Sequence, residues 1–581
     1  MNKKNDNFVL IFEKENNEVT LLDSHNNCLL RKVKTEFILI KGNPYIGEEY
    51  ITKNWIKNQI TQKNFGNLKK INGSFLIIFF DGNKLHILTD RFLSKKIFVS
   101  NNAKNLIIGT KLIHVSKVYF NYFPKSYKYV NKKAVFEFLY FRRIFGTDTL
   151  INSISLAKPA SLMTIQNSDF NEFIYWEKKY NPFITSAEAT DQLAEKLQFA
   201  SKGHKFINSK PVLLLSGGLD ARALLASKVA KQCVTICPSE NNEVMVAREL
   251  SKISNSSFNF FLTKKDALNN RVDEAVYLID GEHSSVNATF IGYEEELLKI
   301  GNVFILGLYL DVLFGGLYLP KTPIEIGSYI SEIHKLDKIK KNLPLYFMKK
   351  VKYKMKSSKI DILFNESNYS NNYNILHRKI NNFFIEASSM TDNIYSQWES
   401  LHLSPMSRHY SYGMINSIES FADCFIPAFN NELLDLSLII DPKDKANSKV
   451  YKDAIGRINY NLLEVVNANI NVSARKGEYI SSMTIFFRKF LKKFLKINTR
   501  LPPKAEDRSW IKPNVIMDYN SELKQKTMDI KKSENFNETE IFNIAFLDRA
   551  IDDHFSGKYD HSILLQHLVS IDSFYNQIFA D

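Results

Sequence analysis

Five consecutive residues in this chain have the types and order to hold a phosphate: Ser216, Gly217, Gly218, Leu219 and Asp220. They follow the apolar run PVLLL and open the stretch LDARALLASKVA, which has helical spacing. Two adjacent glycines carry no Cβ, so backbone N–H groups there can approach a phosphate closely. The helix start adds the partial positive charge of its first turn. An aspartate repels phosphate directly, so Asp220 is better suited to holding Mg²⁺, which then bridges phosphate oxygens. The Gly-Lys-Ser/Thr ending of a Walker loop is absent, which excludes that type of site. A plain strand–turn–helix connection uses the same residue types. The aspartate opening a helix after an apolar strand favours phosphate.

The elements that position this loop follow from hydrophobic periodicity. From about residue 185, helical stretches (TSAEATDQLAEKLQFASKG, EVMVARELSKI) alternate with short apolar strands (PVLLL, CVTIC, NVFILGLYL). Such alternation predicts a parallel sheet flanked by helices. Residues 1–125 differ: FVLIFEKE, FILIKG, GSFLIIFFDGNKLHILTD, KKIFVSN and LIIGTK predict short strands of an antiparallel sheet domain, with Asp81-Gly82-Asn83 as a hairpin turn. Residues 126–184 are expected to connect the two halves, and the chain beyond 385 is expected to be mostly helical. No internal repeat is apparent.

SGGLD after an apolar strand resembles the pyrophosphatase loop of the asparagine-synthetase family, usually SGGLDS; Ala221 replaces the last serine. The similarity continues along the chain. Ile236 and Glu243 stand where the family has an adenine-contacting aliphatic residue and an acid opening a helix. The segment Gly307 to Gly316 (GLYLDVLFGG) is similar to the family's G-x-G-x-D-E-x-F-G-G, with Asp311 kept. Its departures are Leu308 at a usually acidic position, Tyr309 for the second glycine and Val312 for glutamate. Glu419 and Pro427 match part of E-x-R-x-P-F-x-D, and Ser473-Ala474-Arg475-Lys476-Gly477 resembles the R-x-K loop. DDHFSGKYDHSILLQHLVSIDSFYNQIF resembles the terminal helices. The resemblance covers residues 185–581, and 1–125 more weakly.

This likeness implies roles. Leu214, Ser216, Gly217, Gly218, Leu219, Asp220, Ile236 and Gly307 would bind ATP and pyrophosphate. Asp220 and Asp311 would hold Mg²⁺ as a carboxylate pair from two strand ends. Lys476 would neutralise charge on an acyl-adenylate as an amine attacks; Lys449 and Lys452 are its rivals. The implied fold is an N-terminal-nucleophile-like α/β sandwich (1–125), a connection (126–184) and a parallel-sheet ATP-pyrophosphatase domain with a helical C-terminal extension (185–581).

Gly73-Ser74-Phe75 and FFDGNKLHILTDR resemble the family's glutaminase half. That chemistry needs cysteine directly after the removed Met, because its own α-amine is the base. Asn2 follows Met1 here, and the first cysteine is Cys28. Lys41-Gly42-Asn43 replaces the glutamine-gripping Asn-Gly-Glu; Asp90 is kept, but the glycine expected after Arg91 is Leu93. The expectation is a structural remnant.

Other residues carry weaker signals. Cys233 and Cys237 lack a second Cys/His pair for zinc and are expected to be buried strand residues. Asp280 and Glu282, flanking His283, could bind an amine or form an ordinary acidic turn; Arg408 and His409 could face the substrate or solvent. KKVKYKMKSSK (349–359) is expected to be a loop. FFRKFLKKFLK, within 485–496, predicts a basic amphipathic helix, suited to a membrane surface or to core packing with a solvated face; the second is the expectation.

The bulk properties fit this frame. The 581 residues exceed one ordinary core, no apolar run is long enough to cross a membrane, and no signal peptide is evident. Four cysteines are too few for a disulfide framework, so a cytoplasmic location is expected. The +15 charge is spread along the chain, and no nucleic-acid partner is expected. The expected reaction is ATP- and Mg²⁺-dependent adenylation of a small-molecule or peptide carboxylate, followed by amide formation. The amine would be ammonia, from solution or a separate source, or a peptide or intramolecular amine, as in lasso-peptide cyclases and β-lactam synthetases. A catalytically silent scaffold is the alternative from another class.

Overall fold

The computed structural model describes residues 7–23, 29–202, 209–326, 329–339, 342–355, 358–497, 501–503 and 511–580. Met1, Asn2 and Cys28 lie outside these residues.

The run Phe75–Phe80 (FLIIFF) shows why the N-terminal half is layered. Its side chains alternate between two cores: Leu76, Ile78 and Phe80 enter one, Phe75, Ile77 and Phe79 the other. A strand buried on both faces needs no polar alternation. It belongs to a five-stranded antiparallel sheet in the order Asp169–Ile174, Ser161–Gln166, Leu85–Thr89, Phe75–Phe80, Phe37–Gly42. One face packs on a six-stranded antiparallel sheet, ordered Ser155–Leu156, Phe98–Asn101, Asn105–Gly109, Phe8–Glu13, Glu18–Asp23, Leu29–Val33. Phe12 and Phe80 meet there edge to face at 6.3 Å. Ile56 and Ile60 of the helix Lys53–Thr61 cover the other face, and the helix Leu112–Tyr122 lies on the outer sheet. The result is an α/β sandwich. Asp81 closes its predicted hairpin by accepting from the N–H groups of Asn83 and Lys84.

The stretch 126–184 is more than a connection. Its strands Ser155–Leu156, Ser161–Gln166 and Asp169–Ile174 complete both sheets. Their alternation is short and two of them sit at sheet edges, so the periodicity signal is faint.

The second unit is built on a five-stranded sheet, all of whose pairs are parallel, ordered Ser257–Leu262, Gln232–Cys237, Pro211–Leu214, Val303–Ile305, Asp423–Phe425. Cys233 and Cys237 lie buried on its second strand in chain order. Helices dominate beyond residue 385. The basic run 349–359 begins inside the helix Leu343–Val351, whose first turn is capped by Asn342, and is not wholly a loop.

Candidate functional site

In chain order the parallel sheet runs third, second, first, fourth, fifth. Its winding therefore reverses between Pro211–Leu214 and Val303–Ile305, and a crevice opens beyond their carboxyl ends. The loop to Asp220 leaves the first of these strands, and the loop to Asp311 leaves the second. Gly307 lets the loops touch: a Cβ there would lie 2.7 Å from Asp220 Cβ and 3.0 Å from its carbonyl carbon.

Tyr451, fully buried, donates its hydroxyl to Asp220 Oδ1 at 2.9 Å. Burial, then the charge of Asp311, holds the Asp220 carboxyl well above the usual carboxylate range against the Tyr451 hydrogen bond. Burial raises Asp311 as well, opposed by backbone N–H groups and by the charge of Lys321. Two acids that disfavour each other's ionisation are a site a divalent cation would relieve. Among the described residues no group of three or more His, Cys, Asp or Glu side chains is gathered. Two carboxylates fit Mg²⁺, which draws its remaining ligands from water and phosphate.

The loop is not an open row of N–H donors. The Gly217 N–H donates to Glu243 Oε1 at 2.5 Å, and its carbonyl accepts from Arg222 Nε (3.2 Å) and Nη2 (3.0 Å). Gly217 is thus removed from the expected phosphate contacts: a buried guanidinium and a buried carboxylate both need partners, and this one residue supplies them. Arg222 spends its remaining donors on the carbonyls of Leu462, Val465 and Val466. An arginine among Ala and Leu in LDARALLA signals burial but not the carbonyls it meets. The neighbouring Gly218 N–H meets Ser216 Oγ at 3.3 Å.

Leu214, Ser216, Gly218, Asp220, Ile236 and Gly307 line a cleft of about 540 Å³. Leu308 adds an apolar wall where the resembling family is acidic. Leu219 faces instead a second, basic cleft of about 280 Å³ together with Lys321, His334, Lys452 and Lys476. Asn469 borders both clefts. Lys476 is exposed at the second, Lys452 is bonded there to Glu478, and Lys449 lies exposed outside its lining. Lys321, half-buried and pushed down in pKa by burial, was not expected; nothing in its local sequence distinguishes it.

Asp280, Glu282 and His283 do not form a solvent-facing amine site. Asp280 accepts from the Leu112 N–H at 2.9 Å and lies 3.7 Å from Lys111. Glu282 bonds Lys96 at 2.7 Å and also Arg408. Burial pushes the Glu282 carboxyl up, but Arg408 and Lys96 more than offset this. Burial, then Lys96, keeps His283 well below its ordinary pKa. Arg408 and His409 are likewise buried, His409 against Tyr309 and Ser411. Glu419 pairs with Lys95. Three lysines of the N-terminal unit therefore enter acidic positions of the second.

In the N-terminal unit Lys41 donates to Asn7 Oδ1 at 3.1 Å. Arg91 forks onto Asp435 (2.8 and 3.0 Å) and lies over Trp176. Leu93 and Tyr309 share one feature: both adopt left-handed backbone, φ 50° and 73°. Bulky residues rarely accept this region, and glycine does so freely.

No protein-family model matches the chain, and no curated protein is similar to it. Among solved structures it is similar to glutamine phosphoribosylpyrophosphate amidotransferase from B. subtilis complexed with ADP and GMP. That match has a TM-score of 0.17 and 6% identity, over 44% of this chain and 59% of the other. A structure of the allosteric regulatory enzyme of purine biosynthesis matches with a TM-score of 0.17 and 5% identity, over 45% of this chain and 75% of the other. The chain thus spans less than two thirds of the first of these proteins, and neither likeness is close enough to assign a function.

Proposed function

We propose that the parallel-sheet unit is an ATP-dependent ligase of the asparagine-synthetase type, which activates a carboxylate as its adenylate and passes the acyl group to an amine. The observation that carries this is the meeting of Asp220 and Asp311 at the winding reversal of a parallel sheet, with Asp220 on the wall of the larger cleft. The left-handed backbone at Leu93 and Tyr309, both positions where the resembling family has glycine, supports the same reading.

In this reading the 540 Å³ cleft holds the adenosine, with Ile236 and Leu214 against the base. A substrate carboxylate oxygen attacks the α-phosphorus, the bond to the β-phosphate oxygen breaks, and pyrophosphate leaves toward Lys476 and Lys452. The amine then attacks the acyl carbon, loses a proton and expels AMP. Asp220 and Asp311 would hold Mg²⁺, which when bound supplies positive charge to the phosphate oxygens. Tyr451 orients Asp220 for this, and Lys476 meets charge that grows during the amine's attack. Leu308 in the cleft wall favours a carboxylate other than aspartate. The amine is ammonia or a peptide amine, and the N-terminal unit, with Lys41 and Asn43 at the grip positions, does not supply it from glutamine.

The test is product analysis. With ATP, Mg²⁺ and a panel of amino acids, sugar acids and peptides, an accepted carboxylate should yield AMP and pyrophosphate in equal amounts. Formation of ADP and inorganic phosphate would overturn the adenylation reading.

A further inference from the structure

The helix Glu478–Phe494 begins two residues after Lys476 and is oriented against expectation. Its buried side chains are Ser481, Ser482 and Ile485. Its large apolar side chains face outward: Tyr479 is 68% exposed, Phe487 59% and Phe494 62%, with Ile480, Met483, Phe486 and Phe490 exposed beside them. At 100° per residue these seven fall within an arc of about 120°, opposite the buried serines. Leu495 and Ile497 extend the exposed apolar surface. The sequence pattern favours core packing of this stripe; in the fold the core side of the helix is small and the stripe is left outside. Contiguous exposed apolar surface of this kind marks a contact face.

The charge on this segment selects the occupant. From Tyr479 to Ile497 there is no Asp or Glu, while Lys493 stands exposed at the edge of the aromatic arc, and Lys492, on the other side of the helix, and Lys496, just past its end, are exposed as well. Lys493 Nζ lies 5.3 Å from the Phe494 ring centre, with the aromatic pair Phe490–Phe494 at 4.8 Å. Long cationic side chains beside an aromatic stripe suit a surface with an apolar interior and anionic headgroups. A second copy would oppose like charges. No helix of the described residues is long and apolar enough to cross a bilayer, so the contact lies on the surface.

We infer that the helix Glu478–Phe494 seats the protein on an anionic lipid surface, with its aromatic arc in the acyl boundary and its lysines among the headgroups. Glu478 and Ser481 of the same helix line the basic cleft that holds Lys476. Both lie on the side of the helix away from the aromatic arc, so a seated helix stands between that cleft and the bilayer.

The experiment is vesicle flotation of the full chain. Vesicles of phosphatidylcholine with about 30% phosphatidylglycerol should carry the protein at least ~10-fold more than phosphatidylcholine alone. The triple variants F487E/F490E/F494E and K492E/K493E/K496E should each lose this, while F183E, at an exposed aromatic residue elsewhere, should not. Raising salt from about 0.1 to about 1 M should release the unmodified protein, a test that does not depend on variants folding. Equal recovery on both vesicle types, or none on either, overturns the inference. So does a dimer in sedimentation velocity that F487E/F490E/F494E converts to monomer without any vesicle binding by the parent.

Discussion

Asp90 and Asp220 each follow a strand, and burial raises the pKa of both, yet their surroundings differ. Asp90 accepts hydrogen bonds from the backbone N–H groups of Phe75 (3.0 Å), Phe92 (2.8 Å) and Ser94 (3.1 Å), and from the Ser94 hydroxyl (2.5 Å). Its oxygens are filled, and it works as a staple between loop and strand. Asp220 has the Tyr451 hydroxyl and the backbone N–H of Asp311, but it faces a cleft and stands beside the Asp311 carboxylate. A buried acid with its lone pairs occupied holds the fold; one left with spare lone pairs and an unfavourable neighbour is set up for a ligand.

The contrast breaks most directly by neutralising each acid. Asp220→Asn or Asp311→Asn should abolish carboxylate-dependent ATP–pyrophosphate exchange, by at least ~1000-fold, while the unfolding midpoint holds or rises because like-charge repulsion is relieved. Asp90→Ala should instead strand several buried donors and cost about 3 kcal/mol in urea unfolding. Exchange retained in both the Asp220 and Asp311 variants, or an unchanged midpoint for Asp90→Ala, would erase the distinction.

Lysines sharpen it with a smaller effect. Lys476→Ala should bind ATP nearly normally yet form product ~100-fold more slowly, since its charge acts on the transition state more than on the ground state. Normal turnover there, together with loss in Lys449→Ala or Lys452→Ala, would move the catalytic cation to the helix Lys449–Asn459.

Lys178 is the counterpart without a role in the proposed reaction. It donates to the Ser400 carbonyl at 3.1 Å, and burial pulls its pKa down to about 8. The unfolded chain binds the proton more tightly, so this lysine costs stability below about pH 8, and the cost fades as pH rises toward its ordinary value near 10.4. Lys178→Met should stabilise by about 1 kcal/mol at pH 7 and by almost nothing near pH 10.5, read from urea midpoints at both pH values. A pH-independent gain would mean that packing, not charge, is responsible.

What was legible in the sequence was what is local. The strand before Ser216, the glycine pair and Asp220 lie within one short segment whose periodicity and turn chemistry are self-contained, whereas Asp311 was picked out only by the resemblance of its segment to a known family. The Gly217 clamp was not legible, because Glu243 enters from a separate helix and Arg222 is fixed by the distant carbonyls of Leu462, Val465 and Val466. Nor was the fate of Asp280 and Glu282, whose lysine partners come from the other unit. For the helix Glu478–Phe494 periodicity gives the stripe but not which side faces inward. That depends on Ser481 and Ser482 fitting where phenylalanine would not.

Lys95, Lys96 and Lys111 reach from one unit into the other to meet Glu419, Glu282 and Asp280. Breaking a buried pair by removing one partner is far costlier than never having made it. A chain trimmed of its N-terminal half would leave Asp280 and Glu419 without these cations and Glu282 with one of its two. The halves should therefore melt as one cooperative unit, although they are two in topology. Deleting the N-terminal half exposes charges that three simultaneous substitutions would be needed to remove.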